Sequence, residues 1–414
     1  MAPAAAGAWG ASWEPSQRPA GPADPSLPWF QKLVDDAPAG SVLKPPPGRY
    51  SGPVLMQKVL TIEGAGVTID GGGKGTVFVA DVSGATLRGL TFTGSGDSHS
   101  TDDACLNLRG NGNTLQENVF EDCLFGIDLK QANRNAVVGN RIRSKRVPLG
   151  LRGDAIRLWY SKDNRVEGNV VTDSRDVVVW YSDGNIIKGN TGTGSRYSLH
   201  FMFAQHNVVV DNRYDNNSVG IYVMYTQGVE IRNNVISRSA GPTGMGIGFK
   251  EASSSVVSGN TLIYCAVGIS SDLSPDEPDT TIEISDNRIA YNGVGLSIVG
   301  NKTGTVIMRN VFEGNIDQVS QSGGGSAMHN TWKGNYWDDY QGFDRNRDDV
   351  GDTPYELYAY TDRIWMEMPV ARFFKNAPLM EAIDFLERLA PFSTPDLLVK
   401  DEQPLFVRPH GGHP

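Results

Sequence analysis

The stretch GNTGTGSRYSLHFMFAQHNVVVDN, residues 189–212, spans one repeat of this chain, from Gly189-Asn190 to Asp211-Asn212. In most copies an asparagine follows Gly, Asp or Asn, and an aliphatic residue stands two positions after it. The asparagine returns at steps of 22, 29, 21, 22, 22, 26, 27 and 23 residues. A period of about 20 to 30 residues is typical of a solenoid, in which one supersecondary unit is stacked many times. The repeated asparagines are Asn118, Asn140, Asn169, Asn190, Asn212, Asn234, Asn260, Asn287 and Asn310.

Short strands between these asparagines define the fold class. From about residue 50 to 332 the chain alternates brief apolar runs with Gly, Asn, Asp and Ser. Strands this short favour an all-β, right-handed parallel β-helix, in which each coil lies about 4.8 Å from the one before. Asparagines at equivalent corners can stack as a hydrogen-bonded ladder, and asparagine tolerates the left-handed conformation expected there. We therefore interpret them as structural residues.

Composition changes divide the chain into three parts. Residues 1–28 are rich in Ala, Pro, Gly and Ser and predict a flexible arm. Residues 29–335 predict the β-helix with its N-terminal cap, which is a short helix over 27–36. Residues 336–414 break the repeat and include an amphipathic pattern over 377–389. That predicted helix would either close the open sheet end or dock on a membrane partner.

Charge, hydropathy and cysteine content indicate which partners and which cellular compartment to expect. The net charge of −10 gives no reason to expect a nucleic-acid partner. No apolar run reaches the length of about 18 residues that a membrane span needs, so we expect a soluble chain. No secretory signal is visible, which suits both a trimmed export product and a cytosolic protein. Cys105, Cys123 and Cys265 allow at most one bridge, and we interpret all three as small core residues.

A second strand, eight or nine residues after the asparagine, carries an alternating pattern. One set of side chains should point into the coil, and the set between them should point outward. Trp159, Trp180, Met202 and Met224 belong to the outward set, at spacings of 21, 22 and 22 residues. Each should therefore lie one coil from the next. The inward pairs are Ile127/Leu129, Ile156/Leu158, Val177/Val179, Leu199/Phe201, Ile221/Val223 and Ile247/Phe249.

This outward column predicts a soft-metal site. His200 lies two residues before Met202 on the same face, and Met224 is one coil further along. Two thioethers beside an imidazole suit Cu(I). Met245 and His206 are expected nearby. Two alternatives stay open: an exposed apolar strip that docks a partner, which is compatible with metal handling, or a strip covered by a loop.

An acidic segment in the last third predicts a calcium loop. Asp344, Asn346, Asp348 and Asp352 place oxygen ligands at positions 1, 3, 5 and 9. Asp349 stands where the EF-hand loop has glycine, and position 12 is Tyr355 rather than Glu. An ordinary acidic turn is the alternative.

A sugar-active enzyme is the rival interpretation of a β-helix. Asp154 and Asp176 are 22 residues apart, with Asp102, Asp103 and Asp128 on neighbouring coils. General acid–base catalysis needs carboxylates paired in a cleft, whereas aspartates at turns also serve as caps. No histidine accompanies them, and no phosphate loop or Ser/His/Asp pattern occurs. We predict no catalytic residues.

Several longer motifs carry a family resemblance. They are residues 69–75 (IDGGGKG), 334–340 (GNYWDDY), 351–355 (GDTPY), 358–365 (YAYTDRIW) and 385–391. With these motifs the chain resembles, nearly end to end, the NosD family of the nitrous-oxide-reductase maturation system. The resemblance implies a periplasmic, non-enzymatic subunit of an ABC transporter made with the NosF ATPase and the NosY permease.

The same resemblance implies the remaining partners. Copper would pass from the lipoprotein chaperone NosL towards apo nitrous-oxide reductase, and contact with the membrane would come only through the permease. Trp159 and Trp180 on the outward column, together with Trp365, Met366 and Met368 in the tail, are the predicted docking residues. Met366 and Met368 would offer a second copper hand-off point. The family supplies no copper-ligand motif, so His200, Met202 and Met224 rest on spacing.

Overall fold

The computed structural model describes residues 17–300, 302–324, 326–359 and 396–409, together with the single positions 378 and 386. Apart from one seven-residue helix, α1 (Phe30–Asp36), two short 3-10 helices (Leu149–Leu151 and Ala327–His329) and the helical positions 378 and 386, its regular structure is β. All strand pairs but the last are parallel and join successive coils. The expected right-handed parallel β-helix is confirmed.

The coils build three faces, of which the first carries the outward column. It is a 12-stranded sheet of β3 (Val54–Met56), β5 (Phe78–Asp81), β7 (Ala104–Arg109), β10 (Phe125–Lys130), β13 (Ile156–Trp159), β16 (Asp176–Trp180), β19 (Tyr197–Met202), β22 (Val219–Met224), β25 (Met245–Lys250), β28 (Val267–Asp272), β31 (Val294–Val299) and β34 (Asp317–Ser322). All the predicted inward pairs on this face are buried in one continuous core.

The other two faces form a 24-stranded sheet, because the long strands β4 (Thr61–Asp70) and β6 (Thr86–Thr93) run through both. The second face also has β1 (Val42–Leu43), β8 (Thr114–Gln116), β11 (Ala136–Val138), β14 (Arg165–Glu167), β17 (Ile186–Lys188), β20 (Val208–Val210), β23 (Glu230–Arg232), β26 (Val256–Ser258), β29 (Ile282–Ser285), β32 (Thr305–Met308) and β35 (Thr331–Lys333). The third has β2 (Gly48–Ser51), β9 (Val119–Cys123), β12 (Arg141–Ser144), β15 (Val170–Thr172), β18 (Thr191–Thr193), β21 (Arg213–Asp215), β24 (Val235–Ser237), β27 (Thr261–Ile263), β30 (Arg288–Ala290), β33 (Val311–Glu313) and β36 (Tyr336–Trp337).

The repeated asparagines form the predicted ladder between the second and third faces. Asn212, for example, donates from its backbone N–H and its side-chain amide to Asn234 Oδ1, both at 2.9 Å. The pattern continues without a break from Asn118 to Asn335. A shorter ladder, which the period did not reveal, lies at the preceding corner: Asn113, Asn135, Asn164, Asn185 and Asn207.

The left-handed corner conformation belongs to the residue before each ladder asparagine, so the expectation that the asparagine itself adopts it is wrong. Gly189 (φ 63°) precedes Asn190, and Asp211 (φ 60°) precedes Asn212. Because glycine adopts positive φ without strain and Asp and Asn adopt it more readily than most residues, these types recur at that place. In the repeated motif, the first residue (Gly, Asp or Asn) therefore forms the corner, and the asparagine after it belongs to the ladder.

Both ends of the solenoid are covered. At the first end α1 packs on β3, and part of the predicted flexible arm is bound: Ala23 N–H donates to the Gly52 carbonyl and Asp24 N–H to Ser51 Oγ. At the other end an antiparallel pair of strands, β37 (Tyr355–Ala359) and β38 (Asp396–Asp401), closes the last coil. The helix predicted over 377–389 lies outside the described residues apart from positions 378 and 386, both helical.

The cysteines differ from the expectation of three small core residues. Cys105 and Cys123 form a disulfide between adjacent coils, with their Cα atoms 5.5 Å apart. Cys265 is buried and free, as expected. The sequence could not show the pairing, because it depends on the register of β7 against the end of β9.

Candidate functional site

The structure confirms the register of the outward column on the first face. Trp159 pairs with Trp180, Trp180 with Met202, and Met202 with Met224. All four side chains are half-buried. A second outward column lies two residues earlier on each strand. Its members include Asp128, Val178 and His200, which are buried although strand alternation points them outward.

The side chains of His200 and Met224 are in polar contact. His200 Nε2 lies 3.2 Å from Met224 Sδ, across one coil. The backbone partner of His200 on that coil is Tyr222, so the Met224 side chain reaches back along the strand to meet the imidazole. Spacing predicted that these two residues would be near neighbours, and their side chains are in contact.

Aromatic rings enclose the His200 imidazole. The ring centroids of Tyr197, Trp180 and Tyr222 lie 4.9, 5.6 and 6.0 Å from that of His200. Burial lowers the pKa of His200 to about 4, so the imidazole is neutral at physiological pH. Within the described ranges His200 Nδ1 has no hydrogen-bond partner although it is buried, and the same holds for Trp180 Nε1. A neutral imidazole with an unpaired nitrogen and an adjacent thioether is a donor set that fits Cu(I).

The other residues predicted near His200 are Met202, Met245 and His206. Met202 is in register between Trp180 and Met224, but the imidazole nitrogen reaches Met224 instead. Met245 begins β25, and its sulfur and the Tyr222 ring meet at the place where a Gly248 side chain would stand. His206 occupies the turn after β19, with its imidazole against Gly228 of the next coil.

An aromatic ladder that the sequence analysis missed runs alongside the column. Tyr160, Tyr181, Phe203 and Tyr225 each follow a column residue and stack at centroid distances of 4.8, 5.2 and 5.1 Å. Tyr160 and Phe203 are each 43% exposed. The signal was present as the pairs Trp-Tyr, Trp-Tyr, Met-Phe and Met-Tyr at the same period. Column and ladder together form one apolar strip that is not covered within the described residues.

The chain matches known proteins along most of its length. The family model described as "Periplasmic copper-binding protein (NosD)" matches residues 138–342. A Pseudomonas aeruginosa protein named "Probable ABC transporter binding protein NosD" is 29% identical over 87% of both chains. The chain belongs to the NosD family. A Stutzerimonas stutzeri protein of the same name is 31% identical over 30% of this chain and 29% of that protein.

Solved structures similar to this NosD-family chain share its fold. The Azotobacter vinelandii mannuronan C-5 epimerase A-modules AlgE6 and AlgE4 cover 73% of it, with TM-scores of 0.57 and 0.53. They cover 93% and 94% of their own lengths at 13% and 16% identity, so the likeness concerns the β-helix alone. None of the helices within the described ranges has the length and apolar character needed to span a bilayer.

Most carboxylates of the rival enzyme hypothesis are held in ion pairs. Asp128 is fully buried and binds Arg157 through two bonds of 2.8 and 3.0 Å. Asp102 binds both Arg157 and Lys130, and although burial alone would raise the pKa of Asp102, these partners lower it below its usual value. Asp103 is not in an ion pair within the described residues and accepts hydrogen bonds from the Ser98 N–H and the Thr101 hydroxyl. All three carboxylates are therefore already bound by donors of the same chain.

Asp154 and Asp176 are likewise engaged with arginines. Asp154 accepts from Arg175 at 2.9 Å, and Asp176 accepts from Arg196 Nε at 3.0 Å. Burial raises the pKa of Asp154 to about 6, against the opposing charge of Arg175. The two carboxylates therefore form buried ion pairs with arginines, whereas general acid–base catalysis would need them free in a cleft.

The acidic loop of this NosD-family chain folds on itself. Asp344 accepts the N–H groups of Arg347 and Asp349, at 2.6 and 3.0 Å, and Asp352 accepts that of Arg345 at 2.7 Å. The described residues contain no group of three or more His, Cys, Asp or Glu side chains able to hold a metal ion. The structure thus gives no support to the calcium prediction. The predicted docking residues Trp365, Met366 and Met368 lie outside the described residues.

Proposed function

We propose that this chain is a non-enzymatic, periplasmic copper relay and docking platform for an ABC transporter that serves nitrous-oxide-reductase maturation. The observation that carries the proposal is the contact between His200 Nε2 and Met224 Sδ, 3.2 Å apart, in a buried aromatic enclosure. A neutral imidazole and a thioether are soft ligands, and two or three of them hold Cu(I) loosely enough for exchange. Met202, one coil before Met224, is the third candidate donor.

The family assignment supports the cargo and the compartment. The matching family is described as periplasmic and copper-binding, and the relatives are named as transporter-binding proteins. The Cys105–Cys123 disulfide agrees with an oxidising compartment. The NosF ATPase, the NosY permease, the chaperone NosL and apo nitrous-oxide reductase are the partners we propose.

The apolar strip supports the docking role. Tyr160, Tyr181, Phe203 and Tyr225 stack face to face, so their ring edges rather than their faces are presented to the surroundings. A sugar ring stacks on an open aromatic face, whereas a protein partner packs on a mixed surface of ring edges and methionines. The strip adjoins His200, so a partner bound there would lie next to the metal ligands.

Anaerobic Cu(I) titration of the full chain tests the relay. The His200→Ala/Met202→Ala/Met224→Ala variant should lose affinity, measured by competition with a chromophoric Cu(I) chelator. Unchanged affinity would remove the proposed site. A screen for release of reducing ends or unsaturated products from alginate and pectate tests the rival. Turnover that Asp154→Asn or Asp176→Asn abolishes would show an enzyme instead.

A further inference from the structure

The Tyr222 ring lies between two soft donors, the His200 imidazole and the Met245 thioether. On one side its ring stacks with the His200 imidazole at a centroid distance of 6.0 Å and an interplanar angle of 27°. On the other side, one coil further along, stands Gly248, its register partner on β25. The place of the absent Gly248 side chain is filled by Met245 Sδ and by the Tyr222 ring. Two soft-donor positions are therefore adjacent along the axis of the solenoid, with one aromatic ring between them.

Position 248 requires glycine because a side chain would not fit there, and not because of its backbone conformation. Its φ lies outside the left-handed region, so any residue could adopt the backbone there. A Cβ at this position would collide with Met245 Sδ and would come within 2.7 Å of Tyr222 Cδ2. From Asn107 to Ser320 no other residue of this register column is glycine. The missing side chain thus makes room for a thioether beside Tyr222.

If Met245 served only to fill apolar space, its side chain would be fully enclosed by its neighbours. Met245 is half-buried rather than buried, and it stands on the outward side of the first face. The later strands of this face, β28, β31 and β34, contain no methionine, so Met245 is the last thioether in this direction on the described part of the face. An accessible thioether at the end of a row of soft donors has the chemistry of a ligand.

We propose that Met245 is a second thioether station for Cu(I), reached from the His200–Met224 pair past the Tyr222 ring. This inference rests on the proposed function. In the exchange, the bond from His200 nitrogen to Cu(I) breaks while Met224 Sδ keeps the ion, and a bond to Met245 Sδ then forms as the Met224 bond breaks. The imidazole is left neutral, the copper remains Cu(I), and no proton or electron is transferred. The face of Tyr222 attracts a cation, so the ring eases the passage between the two stations.

Release kinetics separate the second station from the first. The full chain is loaded anaerobically with one equivalent of Cu(I) and mixed with an excess of chromophoric chelator. Met245→Leu keeps the volume and removes the sulfur. Its equilibrium affinity should stay near that of the wild type, because His200 and Met224 remain. Its release rate should fall about tenfold, a loss of the size expected when one group of a metal site is removed.

Gly248→Ala supplies an independent variant, because its Cβ displaces Met245 Sδ without changing a donor. It should slow release as Met245→Leu does. Met308→Leu, on β32 of the second face, is the matched control and should release at the wild-type rate. Wild-type release rates in Met245→Leu would overturn the second station, whatever Gly248→Ala does. A wild type that takes up no Cu(I) would overturn the proposed function and this station with it.

Discussion

The buried carboxylate of Asp401 accepts the last hydrogen bonds of the asparagine ladder. Asn335 donates to Asp401 Oδ2 from its backbone N–H at 2.9 Å and from its side-chain amide at 3.0 Å. Gly334 N–H donates to Asp401 Oδ1 at 3.0 Å. From Asn118 to Asn310 the next asparagine accepts the two bonds of each ladder asparagine, and at the end a residue 66 positions away in the sequence takes its place. Strand β38 thereby caps the solenoid.

Removing this cap should destabilise the fold strongly. Asp401→Ala leaves the two buried donors of Asn335 and the half-buried N–H of Gly334 without an acceptor, and each buried donor left unpaired costs about 1 to 3 kcal/mol. We expect a loss of about 3 kcal/mol or more in the free energy of unfolding, measured in urea. Glu402→Ala, at the exposed neighbouring carboxylate, is the control and should change little. Equal midpoints for the two variants would show that the ladder needs no terminal acceptor.

The buried imidazole of His200 should make stability depend on pH. Its pKa is about 4 in the folded chain and about 6.5 when unfolded, so between these values only the unfolded chain binds the proton. Stability is therefore full above about pH 6.5 and is lost as the pH falls towards 4, by an amount on the order of 3 kcal/mol.

Urea unfolding at pH 7 and pH 4.5 measures this contribution. His200→Gln lacks the titration, so its stability should fall less over that interval than that of the wild type. His206→Gln, at the exposed histidine of the next turn, should follow the wild type. If His200→Gln and wild type change in parallel, the imidazole is not desolvated as the structure indicates.

The two column methionines should contribute unequally to Cu(I) binding. Met224 Sδ touches His200 Nε2, whereas Met202 shares only the column. Met224→Leu should weaken Cu(I) binding about tenfold, and Met202→Leu should weaken it less. Chelator competition under anaerobic conditions measures both. A larger loss in Met202→Leu would mean that the metal is held between Trp180 and Met202 instead.

The aromatic ladder should be sensitive to charge. Phe203→Asp places a carboxylate between Tyr181 and Tyr225, where docking of a partner would have to desolvate it. Capture of transporter subunits from a membrane extract by the purified chain should be lost, as for a residue worth about 2 kcal/mol or more to an interface.

Tyr264→Asp provides a matched comparison for that variant. Tyr264 is also exposed, at 56%, and stacks on Tyr291, but it follows β27 of the third face. Its substitution should leave capture intact, and both variants should melt close to the wild type. Loss of capture in both would indicate general damage, and loss in neither would place the transporter on another surface.

Several features of the fold could be predicted from local pattern, because each coil contacts mainly its neighbours. The spacing of Asn190 and Asn212 gave the coil length and the ladder, and the same spacing placed Trp180, Met202 and Met224 in one column. A parallel solenoid turns a sequence period directly into a stack, so periodicity is sufficient for register.

Side-chain direction and distant contacts were decided by the tertiary structure. Period alone could not show that Met224 rather than Met202 reaches His200, because this depends on the rotamers of long, flexible side chains. It could not predict the Cys105–Cys123 bridge or the cap of Asn335 by Asp401, which join residues with no periodic relation. The repeat thus determined which residues are neighbours, whereas packing determined which of them touch, because contact depends on the direction of each side chain as well as on its coil.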